Sequence, residues 1–213
     1  MYKEVIKDIR GKDVTLVAVS KTRSNEQIMG IYNQGQRIFG ENRVQELVEK
    51  QENLPRDIEW HLIGHLQTNK VKYIAPFVEM IHSVDSAKLL REINAQAQKH
   101  DRVIKILLQC KIAREESKYG LAEQELMDIL KFLKQTPMEN IQVAGVMGMA
   151  TFTDDEAVVS REFKNLKTIF DKVNQSGLTG EHFKVISMGM SGDYLLAVKE
   201  GSTMIRVGSL IFK

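Results

Sequence analysis

A lysine at the end of an apolar run is the first feature of this chain that could do covalent chemistry. Lys21 follows the run Leu16 to Ser20, and a helix start comes soon after it at Ser24. A lysine that ends a buried strand can point into the site that the sheet forms, where a desolvated amine gives up its proton more readily and can attack an aldehyde. Most lysines at strand ends are solvated surface charges, so Lys21 taken alone leaves both interpretations open.

Two short segments near the end of the chain combine glycines with hydroxyl side chains. Residues 187–193 read Ser-Met-Gly-Met-Ser-Gly-Asp, and residues 206–209 read Arg-Val-Gly-Ser. Glycine lets backbone amides approach an anion closely, so Ser191 and the amides of Gly208 and Ser209 could hold a phosphate group. The alternative is that the glycines only form tight turns and that Ser191 caps a helix that begins directly after it. Two such segments on neighbouring strands favour phosphate binding.

Arg206 stands between Ile205 and Val207, inside the last apolar run. A guanidinium stays charged at ordinary pH, so its burial in a strand is costly unless it has a partner. The partner could be a carboxylate of the protein, Glu200 or Asp193, in a structural ion pair. It could equally be an acceptor on a bound ligand, such as a ring nitrogen or a phosphate oxygen.

Other polar side chains and methionines fall at the ends of apolar runs. Asn42 is short enough to hold a ligand hydroxyl and equally suited to cap a helix. His65 could form a hydrogen bond with a ligand, whereas the pair His61 and His65 lacks the helix and the glutamate of a zinc protease motif, so we expect no metal site. Met149 is one of several methionines near strand ends that could pack on a planar ring or belong to the core.

Composition places the chain in a broad class. It has 213 residues, 3 prolines and no linker rich in proline, glycine and serine, so residues 1–213 are predicted to form one domain. Its 30 basic and 28 acidic side chains are interspersed and nearly cancel, which argues against nucleic acid or a membrane surface as the main partner. The single cysteine, Cys110, excludes a disulfide framework. The mixed charge of the first residues and the lack of a long apolar run lead us to expect a cytoplasmic protein.

Short apolar runs alternate with amphipathic stretches along the whole chain. This alternation predicts parallel strands joined by helices, whose apolar residues recur on one face, as in 89–97 and 159–173. Eight such steps predict an α/β fold, a single (β/α)8 TIM barrel with its site at the carboxyl ends of the strands, and a doubly wound open sheet is the alternative. The predicted strands are Leu16–Ser20, Arg37–Gly40, Ile58–Gly64, Val78–Ser83, Val103–Cys110, Gln142–Met149, Lys184–Met188 and Met204–Val207.

The candidate residues lie within longer motifs that extend over nearly the whole chain. These motifs are Val17-Ala-Val-Ser-Lys-Thr22, Phe39-Gly-Glu-Asn42, Trp60-His-Leu-Ile-Gly-His-Leu-Gln-Thr-Asn-Lys70, Ser117-Lys-Tyr-Gly120, Gly145-Val-Met-Gly-Met149, Ser187-Met-Gly-Met-Ser-Gly-Asp193 and Gly201-Ser-Thr-Met-Ile-Arg-Val-Gly-Ser209. Together they closely resemble the pyridoxal phosphate homeostasis protein family, whose members are single-domain relatives of the alanine racemase barrel. The resemblance implies a barrel like that of fold type III enzymes, without a second domain.

The resemblance also implies where pyridoxal 5′-phosphate (PLP) is held. It implies that Lys21 forms the internal aldimine, a Schiff base between its amine and the cofactor aldehyde. It further implies that Ser191, Gly208 and Ser209 bind the phosphate and that Arg206 faces the pyridine nitrogen. The remaining residues expected to bind the cofactor are Asn42, His65, Met149 and Ser187.

An arginine at the ring nitrogen limits the chemistry that the cofactor can do. Arginine does not supply a proton to this nitrogen as an aspartate would, so the ring is a weaker electron sink. Racemases with such an arginine also need a second base on the opposite face, from another domain or subunit, and this sequence ends shortly after the eighth run. The resemblance therefore implies binding, buffering and transfer of PLP, with no catalytic residue.

Two enzymatic alternatives stay open. A slow PLP-dependent racemase would use Tyr119, Cys110 or a residue of a partner as its base. A cofactor-free Schiff-base aldolase would act on a phosphorylated sugar through Lys21. For the homeostasis role we expect PLP-dependent apoenzymes as recipients and a monomer or weak dimer, and we hypothesise that Lys118 draws PLP off Lys21 during transfer.

Overall fold

The computed structural model describes residues 1–113 and 119–212 and forms a closed barrel of eight parallel strands. Each strand pairs with the next in the chain, and β8 pairs with β1. The predicted (β/α)8 barrel is therefore confirmed, and the open sheet is wrong. The strands are Thr15–Val19 (β1), Ile38–Glu41 (β2), Glu59–Leu62 (β3), Met80–Val84 (β4), Ile104–Gln109 (β5), Ile141–Met147 (β6), Val185–Ser187 (β7) and Met204–Val207 (β8).

Helices connect the strands around the outside of the barrel. They are Tyr2–Ile9 (α1), Asn25–Tyr32 (α2), Val44–Asn53 (α3), Val71–Ile74 (α4), Ala87–Lys99 (α5), Glu123–Gln135 (α6), Glu156–Gln175 (α7) and Tyr194–Lys199 (α8), with a short 3-10 turn at Thr68–Lys70. The predicted apolar faces of α5 and α7 are buried, and each large apolar side chain so buried contributes about 1.5–3 kcal/mol. No helix in the described ranges is long and apolar enough to cross a membrane.

Side chains of each strand alternate between the barrel interior and the layer beneath the helices. In β1, Val17 packs in the interior, whereas Ala18 belongs to the layer between strands and helices. Val19 and Lys21 continue the inward series and line a cavity, while Ser20 contacts a residue of α3. The interior cluster consists of Val17, Met80, Leu107, Ala144, Met147 and Met204.

Gly145 lies where β6 approaches β7 most tightly. A Cβ atom at this position would lie 1.8 Å from the carbonyl oxygen of Val185. The pairing of β5 and β6 shifts register close by, between Ile106 and Leu107. The barrel wall therefore requires glycine here because no side chain fits between the two backbones.

Candidate functional site

A cavity of about 740 Å³ opens at the carboxyl ends of the strands. This volume is typical of small-molecule sites, which range over about 300–1,000 Å³. Ser187, one of the nine residues predicted to bind a cofactor, is buried and does not line the cavity, although it contacts Arg206. The eight others line the cavity: Lys21, Asn42, His65, Met149, Ser191, Arg206, Gly208 and Ser209.

Lys21 occupies a tight turn at the end of β1. The amide of Arg23 donates a hydrogen bond to the carbonyl of Ser20 over 3.0 Å, which closes the turn around Lys21 and Thr22. Thr22 has a φ of 62°, in the left-handed region that β-branched residues seldom adopt. Contacts from outside the turn are therefore needed to hold this conformation.

A charged cluster of Glu41, Glu46 and Lys50 lies behind this turn, and we call it the Lys50 cluster. Glu41 and Lys50 are buried, and Glu46 is partly exposed. Nζ of Lys50 donates hydrogen bonds to Oε1 of Glu41, Oε1 of Glu46 and the carbonyl of Ser20, each over 2.7 Å. Burial raises the pKa of Glu41, against the opposing hydrogen bonds from Lys50 and Ser20. Burial also acts to raise the pKa of Glu46, but hydrogen bonds from Lys50 and the Thr22 amide lower it overall.

The glycine and serine turns after β7 and β8 meet at one side of the cavity. The amide of Gly208 donates a hydrogen bond to Oγ of Ser191 over 3.2 Å. A Cβ atom at Gly208 would lie 2.8 Å from the carbonyl oxygen of Val19, so only glycine lets this turn lie so close to β1. The two turns thus bring Ser191, Gly208 and Ser209 to the cavity wall.

Ser191 does not cap a helix, so the capping alternative is wrong. The helix α8 begins at Tyr194, and Asp193 occupies the N-cap position. Oδ1 of Asp193 accepts a hydrogen bond from the amide of Met190 over 2.5 Å, which folds the turn back on itself. The carboxyl of Asp193 has a raised pKa because burial outweighs the hydrogen bond from Met190 and the charge of Arg206.

Arg206 is buried and takes part in the cavity wall. Its Nη1 donates a hydrogen bond to Oγ of Ser187 over 2.7 Å, and its Nη2 donates one to the carbonyl of Gly148 over 3.1 Å. Burial lowers the pKa of Arg206 to about 10, and the charge of Asp193 opposes this change. Among the described residues Arg206 forms no ion pair. Glu200 instead accepts a hydrogen bond from a serine of α7 and pairs with a lysine of that helix. The alternative of a structural ion pair between Arg206 and Glu200 or Asp193 is therefore wrong.

A chain of buried polar side chains extends behind Arg206 into the barrel. Nδ1 of His82 lies 3.2 Å from Oγ of Ser187, and Nε2 of His82 lies 3.0 Å from Nδ1 of His61. Burial lowers the pKa of His61 to about 3, and burial also places the pKa of His82 well below 6.5. Both rings are therefore neutral near pH 7, and each has one donor and one acceptor nitrogen for the chain.

His82 and the Lys50 cluster were not predicted from the sequence. A signal for His82 exists, because it stands two residues after Met80 on β4 and therefore shares the inward face of that strand. Glu46 and Lys50 are four residues apart on α3, which is typical of an exposed ion pair on a helix. Only the position of α3 beside the ends of β1 and β2 shows that Lys50 is buried and Glu46 partly buried.

Asn42 and His65 lie on the cavity wall beside strands β2 and β3. Asn42 does not cap α3, whose N-cap residue is Arg43, so capping is not its role. The ring of His65 stacks on Tyr119, with centroids 4.3 Å apart, and its Nδ1 lies 3.9 Å from Oδ2 of Asp85. Across residues 1–113 and 119–212, no group of three or more His, Cys, Asp or Glu side chains is placed to hold a metal ion.

The fold and the cavity define a barrel of the alanine racemase N-terminal type. Residues 3–213 match the family described as "Alanine racemase, N-terminal domain". A solved alanine racemase from Clostridium difficile superposes with a TM-score of 0.80 at 14% identity, covering 99% of this chain and 58% of that chain. At this identity the likeness concerns the fold alone.

Within this class, the chain belongs to the pyridoxal phosphate homeostasis protein family, as the motifs predict. The "Pyridoxal phosphate homeostasis protein" of Pasteurella multocida is 37% identical over 204 residues, covering 93% of this chain and 85% of the relative. The protein of the same name from Aquifex aeolicus is 37% identical over 199 residues, covering 92% and 85%. The structure of PipY from Synechococcus elongatus with PLP bound superposes with a TM-score of 0.89 at 34% identity, covering 100% of this chain and 98% of that chain.

Proposed function

We propose that this protein binds PLP at the carboxyl ends of its strands and serves PLP homeostasis by holding and releasing it. The observation that carries the proposal is that Lys21, Arg206 and the turn at Gly208 and Ser209 line one cavity. An amine for the aldehyde, a donor for the ring nitrogen and backbone amides for the phosphate are the groups that this cofactor requires. The name of the relatives and the PLP-bound PipY structure support the same conclusion.

The finer part of the proposal is that Lys21 holds the cofactor covalently. When bound, PLP supplies an aldehyde carbon that reacts with amines. Lys21 would hold the cofactor through its Nζ, with loss of one water molecule and no change of oxidation state. Ser191, with the amides of Gly208 and Ser209, binds the phosphate.

Arg206 sets the proton chemistry at the ring nitrogen. Its pKa of about 10 leaves the guanidinium protonated near pH 7. A guanidinium only donates hydrogen bonds, so it holds the ring nitrogen without transferring a proton to it. In this proposal Asn42, His65 and Met149 contact the ring, and Ser187 acts through Arg206. Such a site favours retention of the cofactor over stabilisation of a carbanion.

We further propose that the protein does not turn over amino acids. Of the two candidate bases of this chain, Cys110 is buried, and burial raises the pKa of its thiol to about 12, which disfavours the thiolate. Tyr119 is 59% exposed and lines the cavity, so it is the observation that favours a slow racemase as the second candidate function. Deuterium exchange at Cα across a broad panel of amino acids, lost in Tyr119→Phe, would establish the racemase instead.

The proposed cellular role is to bind PLP and then release it to other proteins. We propose that residues 1–213 act as one domain in the cytoplasm, as a monomer or weak dimer, and that PLP-dependent apoenzymes receive the cofactor. Transfer is measured as activation of an apoenzyme by the loaded protein. The hypothesis on Lys118 lies outside the described residues, and the Lys118→Ala variant in the same assay tests it.

PLP binding itself is tested by equilibrium dialysis of three proteins. Lys21→Ala removes the proposed attachment point, so the dissociation constant for PLP is expected to rise by about tenfold or more. Lys12→Ala is the matched control, because Lys12 is an exposed lysine between α1 and β1, on the loop that precedes the barrel. The control is expected to bind like the wild type. Equal binding by Lys21→Ala would contradict the covalent proposal.

A further inference from the structure

We propose that the Lys50 cluster is a positioning device for Lys21, in which Glu41, Glu46 and Lys50 hold the turn so that the amine of Lys21 meets the cofactor. This inference rests on the proposed function, because it concerns the residue proposed to hold PLP. None of the three cluster residues lines the cavity. They therefore act through the backbone of the turn and not by contact with a ligand.

The cluster holds both peptide groups that flank the Cα atom of Lys21. On one side, the carbonyl of Ser20 belongs to the peptide group before Lys21. It accepts a hydrogen bond from Nζ of Lys50 over 2.7 Å. On the other side, the amide of Thr22 belongs to the peptide group after Lys21. This amide donates a hydrogen bond to Oε1 of Glu46 over 2.5 Å. Fixing these two peptide planes fixes the direction of the Cα–Cβ bond between them.

Ser20 adds a third attachment to the same cluster. Its hydroxyl donates a hydrogen bond to Oε1 of Glu41 over 2.5 Å, and its amide donates one to the carbonyl of Gly40 over 3.0 Å. The alternation of side chains in β1 continues past Val19, so Ser20 faces the cluster while Lys21 lines the cavity. The contacts of Ser20 with the cluster therefore also hold Lys21, its neighbour in the chain, in place.

The conformation of Thr22 explains why such a device is needed. A φ of 62° is unfavourable for a β-branched residue, so the free turn would move toward other conformations. Any such change at Thr22 rotates the peptide group that follows Lys21. The hydrogen bond from the Thr22 amide to Glu46 opposes this rotation.

Stability alone does not account for the cluster. Oε2 of Glu41 is buried and has no hydrogen-bond partner among the described residues, which is a cost. Replacing a buried ion pair with apolar residues is often neutral or stabilising, so a cluster kept only for stability has no need of this arrangement. A cluster that orients the attachment residue for PLP explains why the charges are kept and why they reach the backbone.

The test compares two ligands that differ only in the group that reacts with Lys21. PLP carries an aldehyde, whereas pyridoxine 5′-phosphate has the same ring and phosphate with an unreactive hydroxymethyl group. In the double variant Glu41→Gln/Lys50→Met, which removes one charge of each sign, we expect the dissociation constant for PLP to rise by about tenfold or more. The constant for pyridoxine 5′-phosphate is expected to change by less than about twofold.

Two further variants keep the test decisive. Glu46→Ala removes the acceptor of the Thr22 amide and one of the three contacts of Lys50, from a partly exposed position. It should show the same selective loss of PLP affinity, and it serves as the test if the double variant does not fold. Thr22→Gly added to Glu46→Ala should recover PLP affinity, because glycine adopts the required φ without strain. The matched control is Lys167→Met/Asp171→Asn, which removes one charge of each sign from a half-exposed pair on α7 and should leave both affinities unchanged.

Each remaining outcome overturns the inference. Equal loss of both ligands would show a general structural role, and unchanged affinity for PLP would show that the turn needs no anchor. If the wild type binds pyridoxine 5′-phosphate as tightly as PLP, the covalent proposal for Lys21 fails and the inference fails with it. That last result is seen in the wild type alone, so it is distinguishable from failure of the positioning role.

Discussion

Nη1 of Arg206 donates a hydrogen bond to Oγ of Ser187 over 2.7 Å, and this contact joins the cavity to the buried histidines. Ser187 also lies 3.2 Å from Nδ1 of His82. The guanidinium at the cavity wall is therefore oriented by a side chain that does not line the cavity. This arrangement makes the role of Ser187 separable from ligand contact.

Ser187→Ala is expected to weaken PLP binding through Arg206. A hydrogen bond to a charged group contributes about 1.5–3 kcal/mol, so its loss should raise the dissociation constant for PLP by about tenfold or more. The control is Ser202→Ala, another buried serine, whose hydroxyl binds the carbonyl of Met188 over 2.7 Å. It should lower stability and leave PLP affinity unchanged. Wild-type affinity in Ser187→Ala would show that Arg206 is oriented without it.

His61→Gln should reduce the acid sensitivity of the fold. Burial lowers the pKa of His61 from 6.5 to about 3. As the pH falls below about 6.5, His61 binds a proton in the unfolded chain but stays neutral in the folded protein. The free energy of unfolding therefore decreases between about pH 6.5 and about pH 3. One such histidine adds a slope of about 1.4 kcal/mol per pH unit. Denaturant unfolding between about pH 6 and 4 should show a shallower slope for the variant, and parallel curves would contradict the buried neutral ring.

Gly145→Ala should destabilise the barrel wall strongly. Its Cβ atom would lie 1.8 Å from the carbonyl oxygen of Val185, so β6 and β7 must separate. We expect a loss of more than about 2 kcal/mol in the free energy of unfolding. Gly30→Ala is the control, because Gly30 lies within α2 with open space around it and should gain about 0.5–1 kcal/mol. Similar effects of the two substitutions would contradict the tight approach.

The fold could be predicted from the sequence because its pattern is regular. Each apolar run is short and each intervening helix shows one apolar face, so the order of elements follows from periodicity alone. The barrel also explains why Lys21, Arg206 and Gly208 line one cavity, since residues at the carboxyl ends of parallel strands converge whatever their separation in sequence.

The parts that could not be predicted depend on packing. Ser191 is followed by a glycine and an aspartate, and a serine in this setting is a plausible helix N-cap. Asp193, however, directly precedes Tyr194, the first residue of α8, and it occupies the N-cap position. Lys50 has a glutamate four residues earlier, which is typical of a solvated helix face. Its burial depends on how α3 lies against the ends of β1 and β2, which no local pattern contains.

The central claim is that Lys21 binds PLP covalently, and borohydride reduction followed by peptide mass mapping tests it most directly. The loaded protein should carry one reduced adduct, located on the peptide that contains Lys21, and the adduct should be absent from Lys21→Ala. A Schiff-base aldolase would instead trap a sugar phosphate on the same lysine. Failure to form a PLP adduct, or adducts spread over surface lysines, would contradict the account and leave a barrel that binds another phosphorylated ligand.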